Sequence, residues 1–270
     1  MLLITCTSCL SLEAVQQYAA EATEGTEQFN NVDLTFQALC QRKRQLRDLR
    51  QSRVLRTYRD SCELHQQADS AIIKMQRATQ EYLTALYAIS SGERVYYSLS
   101  PLKDALTGSQ LFEIEVSTAD AYQQLLELLV TASTETYRRR QVQRLVTQAH
   151  APLTTLLEQL AFVVDEAFRE AIQQQKSMLY LNTRELADSA QTFMERQTVL
   201  QRYIDEAAYY EQQLQLLDTY VAVLKTIQEG HQQLYDQRAR LHRRETVAGL
   251  AFYLNELRAL QRSFEKDLPE

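Results

Sequence analysis

The sequence predicts an all-α fold without β-sheet: an elongated antiparallel bundle of long helices, similar to a four-helix bundle or coiled coil. Only 5 Gly and 3 Pro occur among 270 residues, whereas an average chain of this length carries roughly 19 and 13, and β-turns depend on both. Ala, Leu, Gln, Glu and Arg are abundant, and these residues lose little side-chain freedom in a helix. Apolar residues also recur three or four positions apart over long stretches, as the buried side of a helix requires.

The first half of the chain predicts a short helix over residues 11–25, ending at Gly25, and a much longer one over residues 58–90. Between them, Asn30, Asn31 and Asp33 offer side-chain oxygens that can cap the start of a further helix. The long helix has a clear three-to-four spacing of buried positions: Cys62, His65, Ala68, Ile72, Met75, Thr79, Tyr82, Leu86 and Ile89. Ser91-Gly92 is expected to stop it.

Residues 93–108 contain Pro101 and several small polar residues, so they predict an irregular connection within a single helical domain spanning residues 11–270. A second set of helices should follow, beginning with one over residues 117–140. Pro152 suits the first turn of the next helix, where its missing N–H costs nothing.

The last third of the chain predicts one long apolar face over residues 181–236, interrupted only by Gly230, where close packing or a hinge is expected rather than a ligand contact at His231. The predicted inward residues are Met194, Tyr203, Ala207, Leu214, Leu217, Leu224, Ile227 and Leu234. The final helix should bury Leu250, Leu254, Leu257 and Phe264 and end near Leu268-Pro269.

The overall composition excludes several classes of protein. With 45% hydrophobic residues, the chain can bury a core and is not expected to be disordered. Its net charge of −6 and pI of about 5.4 argue against nucleic-acid binding. No run of 18 apolar residues occurs, so no transmembrane helix is expected.

Residues 42–59 are strongly basic and form a candidate surface for binding anions, with candidate residues Arg42, Lys43, Arg44, Arg47 and Arg50. The competing interpretation is a solvated helix face that is partly neutralised by acids on neighbouring helices. Arg138, Arg139, Arg140 and Arg144 form a second basic cluster, which the predicted helix over residues 117–140 would place at a helix C-terminus.

Cys40 and Cys62 are candidates for a disulfide. They are 22 positions apart and would lie about 33 Å from each other on one straight helix. If the chain bends near residues 51–57, two antiparallel helices bring them within bonding range.

Cys6 and Cys9 form a C-x-x-C in an uncharged tail, residues 1–10. A redox or zinc site is disfavoured because no βαβ pattern and no second ligand pair accompany them. Thr7-Ser8-Cys9, after Leu2, Leu3 and Ile4, instead resembles the lipobox of bacterial lipoproteins, which implies acylation at Cys9. Cys6 stands where Leu is usual, and neither a basic n-region nor a full apolar h-region precedes it. The alternative is a cytosolic N-terminal arm with four buried thiols.

Residues 82–90 (YLTALYAIS), with the irregular stretch after them, resemble a motif of uncharacterised all-helical bacterial envelope lipoproteins. In these proteins a pair of cysteines precedes a helix that ends in a Tyr-x-x-Ala-Leu-x-x-Leu-Ala type run, and Cys40 and Cys62 match that pair. The resemblance covers the first 110 residues or so, and its motif is mostly one helical face. It implies a helical bundle tethered by lipid in an oxidising periplasm, and it implies no known activity.

Enzyme templates find no match, so catalytic, cofactor-binding and metal residues are all predicted to be absent. A di-iron bundle needs Glu-x-x-His motifs, and none occurs. Phosphate-binding, dinucleotide-binding, nucleophile-elbow and H-E-x-x-H motifs are also missing. Only four His occur, each expected on a helix surface or half-buried.

These observations predict a non-enzymatic helical scaffold or binding protein working at or near a bacterial membrane. Its expected partner is another protein or an anionic membrane surface, and the chain should be a monomer or a weak homo-oligomer. The expected location is the periplasm, lipid-anchored, if a signal precedes Met1, and the cytoplasm otherwise. The alternatives are a cytosolic helical adaptor and a membrane-active, pore-forming-like protein.

Overall fold

The computed structural model describes residues 12–32, 34–50, 62–93, 116–131, 138–241 and 243–268. Within these ranges the chain is helical and contains no strand, so the predicted all-α fold is confirmed. The helices are α1 Glu13–Glu27, α2 Phe36–Arg50, α3 Glu63–Ser91, α4 Val116–Thr131, α5 Arg138–Phe162, α6 Arg169–Ser189, α7 Phe193–Asp236 and α8 Arg244–Asp267.

Helix α7 is the central element of the bundle. Its 44 residues span about 65 Å, and α1, α5, α6 and α8 all pack against it. Helices α6 and α7 are antiparallel, because Arg169 pairs with Asp218 while Lys176 pairs with Glu211. The buried residues of all these helices form one continuous apolar core, in which Leu217, Leu224, Ile227 and Leu234 lie where the sequence predicts them.

A second long line of helix runs from Arg138 to Ser189, because α5 continues into α6 through a π-helical turn, Val163–Phe168. Phe168 is the last residue of this wider turn. Its buried ring packs edge-on against Phe36, with ring centroids 4.8 Å apart. Pro152 lies inside α5, so its predicted place in a first turn is wrong. The helix tolerates the lost N–H of Pro152 because its ring is buried in tertiary contacts.

The predicted helix over residues 117–140 is also wrong at its end. α4 is described up to Thr131 and α5 from Arg138. The two helices pack against each other, with the Thr118 hydroxyl 3.5 Å from the Gln159 side chain, so the arginines at 138–140 belong to a second helix. Arg138 contacts the C-terminus of a different helix, α3, because its Nη1 donates to the carbonyl of Ser91 at 2.8 Å. There α3 ends at Gly92 as predicted, with a φ of 86° that suits glycine.

The expected continuous face over residues 181–236 is divided between two helices. α6 ends at Ser189 and α7 begins at Phe193. Thr192 and Glu195 form a capping box, in which the Thr192 hydroxyl accepts from the Glu195 N–H and the Glu195 carboxylate accepts from the Thr192 N–H. This turn makes α6 and α7 a helical hairpin.

The start of α2 depends on a tertiary contact. Asp69 on α3 accepts from the backbone N–H of Phe36 at 2.8 Å and of Gln37 at 3.0 Å. Thr35, rather than Asn30 or Asn31, supplies the local cap by accepting from the Ala38 N–H. Asn30 and Asn31 belong to a 3-10 turn, Gln28–Asn31, that follows α1, and α1 itself passes Gly25. Asp33 lies outside the described residues.

Candidate functional site

The end of the α6–α7 hairpin, residues 180–204, extends beyond the described helices that cover the rest of α7. Helix α8 runs antiparallel to α7 and ends level with Gln212, whose side-chain amide donates to the carbonyl of Asp267 at 2.6 Å. On the other side, the Leu46 carbonyl of α2 accepts from Asn182 at 3.0 Å. Beyond these contacts residues 191–198 are all exposed.

This hairpin end exposes apolar side chains. The exposed large ones are Tyr180, Leu181, Leu186, Phe193, Met194, Leu200 and Ile204. Met194 was predicted to face the core, and that prediction is wrong, because none of the described helices packs over the first turn of α7. Phe193, Leu200 and Ile204 are seven and four positions apart, so they lie along one side of α7. We call these three residues the hairpin stripe.

The charges around the hairpin end are of both signs. Between residues 180 and 205 there are three arginines (Arg184, Arg196, Arg202) and four carboxylates (Glu185, Asp188, Glu195, Asp205). An apolar face framed by mixed charge is typical of a surface that packs against protein. A peripheral membrane helix instead carries an excess of Lys and Arg.

A cleft of about 360 Å³ opens between α2, α6 and α7 at the base of the hairpin end. Its apolar lining consists of Leu46, Leu179, Leu186, Val199 and Tyr203. Its charged lining consists of Arg42, Glu185, Arg202 and Glu206. The cleft and the hairpin stripe use different sides of α7, because Val199, Tyr203 and Glu206 are offset by about 100° from Leu200 and Ile204.

The basic residues predicted to bind anions start beside this cleft. Arg42 forms a two-pronged pair with Glu206, with Nη2 at 2.6 and 2.7 Å from the two carboxylate oxygens. Lys43 donates to Gln174 at 3.1 Å, and Arg44 also has an interaction partner. Arg47 is exposed, and the side chain of Arg50 lies outside the described residues. Neutralisation by a neighbouring helix, the competing interpretation, therefore holds for Arg42.

Cys40 and Cys62 are joined by a disulfide, with their Cα atoms 6.1 Å apart. It ties the middle of α2 to the start of α3, so it holds α2 in place beside the cleft. Residues 51–57, where the bend was expected, lie outside the described residues, as do Cys6 and Cys9.

A separate polar network lies inside the bundle, away from the hairpin end. The Tyr82 hydroxyl is 2.7 Å from Nε2 of His231, and Nδ1 of His231 is 3.4 Å from Nδ1 of His150. The half-buried His150 ring stacks on Tyr235 with centroids 3.9 Å apart. Burial, together with the smaller effect of the nearby His150, lowers the pKa of His231 to about 3. Neutral rings can satisfy both contacts, so this network links α3, α5 and α7 without a buried charge.

Gly230 is needed next to this network. A Cβ at that position would lie 2.4 Å from Cε2 of Tyr18, a fully buried residue whose hydroxyl donates to the Ile227 carbonyl. The helix continues through Gly230 to Asp236. Of the two expectations for this glycine, close packing is confirmed.

Within the described ranges, no group of three or more His, Cys, Asp or Glu side chains lies close enough together to bind a metal ion. None of the described helices has the length and hydropathy needed to cross a bilayer. Comparison with protein families, curated proteins and solved structures found no match to this chain.

Sequence reasoning missed the hairpin end. Its apolar residues repeat at helical spacing, and that spacing is the same for a stripe that faces the core and for one that faces solvent. One local signal was available: Thr192 and Glu195 match the capping-box pattern, which marks a helix start directly before Phe193.

Proposed function

We propose that the protein is a non-enzymatic helical scaffold that binds a partner protein through the hairpin stripe. The observation that carries the proposal is the exposure of Phe193, Leu200 and Ile204 on a hairpin end that the other described helices leave uncovered. Aromatic and aliphatic side chains that stay exposed together on one side of a helix favour association. The partner surface that fits them is an amphipathic helix, which packs side by side with α7.

A partner protein is favoured over an anionic membrane surface. The balanced charges of the hairpin end give little attraction to anionic lipid, since each Lys or Arg near such a surface contributes only about 1 kcal/mol and the acids oppose it. The same charged residues disfavour insertion of the hairpin into a bilayer, as a pore-forming protein would require, because charges are costly inside the hydrocarbon.

Photo-crosslinking tests this proposal. A photoreactive residue at Leu200 should form one protein adduct in cells, and I204S should abolish it because it removes an apolar contact of the same stripe. A photoreactive residue at Thr198, exposed on another side of α7, is the matched control and should form no such adduct. The purified partner should then bind the wild-type protein and not the F193S/I204S variant. Identical adducts from both positions, or adducts with lipid alone, would contradict the proposal.

The proposal also places the protein at the membrane of a bacterial envelope, and the cysteines support this part. Lipid at Cys9 would anchor the chain, and an oxidising periplasm would keep the Cys40–Cys62 disulfide intact. Metabolic labelling with an alkynyl fatty acid should mark the wild-type protein and not the C9S variant. Mass spectrometry of unreduced native protein should find Cys40 and Cys62 bonded. Two free thiols at these positions would favour the cytosolic adaptor instead.

A further inference from the structure

We infer that the cleft between α2, α6 and α7 binds a single-chain amphiphile with an anionic head group, such as a fatty acid or a lysophospholipid. This inference goes beyond partner binding, because the ligand is a small molecule and the cleft uses a different side of α7 from the hairpin stripe. It can therefore fail while the proposed function holds.

The size and lining of the cleft fit one acyl chain. Its volume of about 360 Å³ lies at the lower end of the roughly 300–1,000 Å³ that is usual for small-molecule sites. Leu46 of α2, Leu179 and Leu186 of α6, and Val199 of α7 give it aliphatic walls on three helices. Because the cleft is open at the protein surface, a chain can enter it while the head group stays at the rim.

Arg202 is the side chain that binds the anionic head group. The four charged side chains that line the cleft sum to zero, but Arg42 and Glu206 neutralise each other in their two-pronged pair. Glu185 already has an interaction partner. Arg202 has no hydrogen bond or ion pair with a described residue, and it is exposed at the edge of the apolar lining. A free guanidinium beside an apolar cleft is suited to a carboxylate or phosphate.

The position of the cleft is fixed by parts of the fold that do not move independently. The disulfide holds α2, and Asn182 of α6 donates to the Leu46 carbonyl of α2 at 3.0 Å. Arg42 of α2 also pairs with Glu206 of α7. Together these contacts tie α2 to both other walls of the cleft, so the site is already formed before the ligand binds.

Calorimetric titration of the intact protein with monomeric amphiphiles tests the inference. Tetradecanoate should bind one molecule per chain, and each further CH₂ from octanoate upwards should tighten binding about fourfold until the cleft is full, which corresponds to about 0.8 kcal/mol per buried CH₂. Tetradecanol, which has the same chain and no charge, should bind at least tenfold more weakly. Tetradecanoate is then compared with a lysophospholipid that has the same acyl chain. If tetradecanoate binds more tightly, the preferred anion is a carboxylate, and if the lysophospholipid binds more tightly, it is a phosphate.

Two variants locate the site. V199W fills the cleft and should abolish binding, and R202Q should weaken tetradecanoate at least tenfold and leave tetradecanol unchanged. R184Q is the matched control, because Arg184 is an exposed arginine of the same hairpin that lies outside the cleft lining, and it should bind as the wild type does. Circular dichroism checks that V199W keeps its helices, and R202Q, at an exposed position, tests the site independently.

Two sets of titration results would overturn the inference, one for the cleft and one for the head group. No binding of any chain length, or unchanged binding in a folded V199W, would overturn the cleft as the site. Equal affinity for tetradecanol and tetradecanoate, or equal loss in R202Q and R184Q, would overturn the anionic head group. Crosslinking at Leu200 should be the same in R202Q as in the wild type, so loss of lipid binding alone leaves the proposed function standing.

Discussion

The two ends of α7 both carry apolar residues at helical spacing, but their surroundings are very different. Leu217 and Leu200 are the same residue type on the same helix, yet Leu217 is fully buried whereas Leu200 is 44% exposed. Around residues 210–234 the helix is enclosed by α1, α5, α6 and α8, whereas residues 193–204 lie at the end of the hairpin. Buried packing therefore lies along one half of α7, and the proposed binding surface lies on the other.

Paired leucine substitutions test this comparison with the largest expected effect. L217A should lower the free energy of unfolding by about 3 kcal/mol, because it removes buried methyl groups and leaves a cavity. L200A should change it by less than about 0.5 kcal/mol, as is usual for exposed positions. Urea denaturation measures both. Equal losses would mean that the hairpin end is covered in solution, most simply by a second copy of the chain.

Paired glycine substitutions test how tightly the enclosed half is packed. G230A should destabilise the protein by about 2 kcal/mol, because the new methyl group overlaps the buried Tyr18 ring by more than the helix gains from alanine. G249A is the control on α8. Its Cβ meets only the end of the flexible Gln233 side chain, so thermal unfolding should be unchanged or slightly improved.

Acid should weaken the enclosed half selectively. The pKa of His231 is lowered to about 3 in the fold, whereas the unfolded chain binds this proton below about 6.5. The unfolded state thus holds more protons between these values, and stability present above pH 6.5 is lost as the pH falls, by up to about 1.4 kcal/mol per pH unit.

The H231N variant isolates that contribution. It should be less stable than the wild type at pH 7, because the Tyr82 and His150 contacts change, and its stability should fall less steeply between pH 6 and pH 4. Hydrogen exchange at pH 5 should show faster opening near Tyr82 and Leu234 than at pH 7, with little change at the hairpin end. Parallel pH profiles for the two proteins would rule out His231 as the acid-sensitive group.

Much of the helical architecture was predictable from local pattern. The end of α3 at Gly92 and the inward set on α8, including Leu250, Leu257 and Phe264, follow from glycine chemistry and apolar spacing. The disulfide between Cys40 and Cys62 could be predicted once these residues were assumed to lie on two antiparallel helices. Pro152 and the arginines at 138–140 were misplaced, because a proline and a charged cluster each suit more than one position on a helix.

The candidate site was much less predictable than the helices. Leu186, Val199 and Tyr203 come from the two sides of a turn, and Leu46 comes from a helix more than 130 positions earlier. Their convergence depends on how α2 packs on the hairpin. Similarly, the network of Tyr82, His150 and His231 joins three helices, and each residue alone has only the pattern of an ordinary core or surface position.

The sequence by itself determined that this chain is helical, because scarcity of Gly and Pro and three-to-four apolar spacing act locally through backbone freedom and side-chain placement. The tertiary structure alone decided which apolar stripes are buried. Burial depends on whether another helix reaches a given stretch, and among the described residues neither α8 nor α2 covers the tip of the hairpin. The same periodic pattern is therefore core at Leu217 and exposed surface at Leu200.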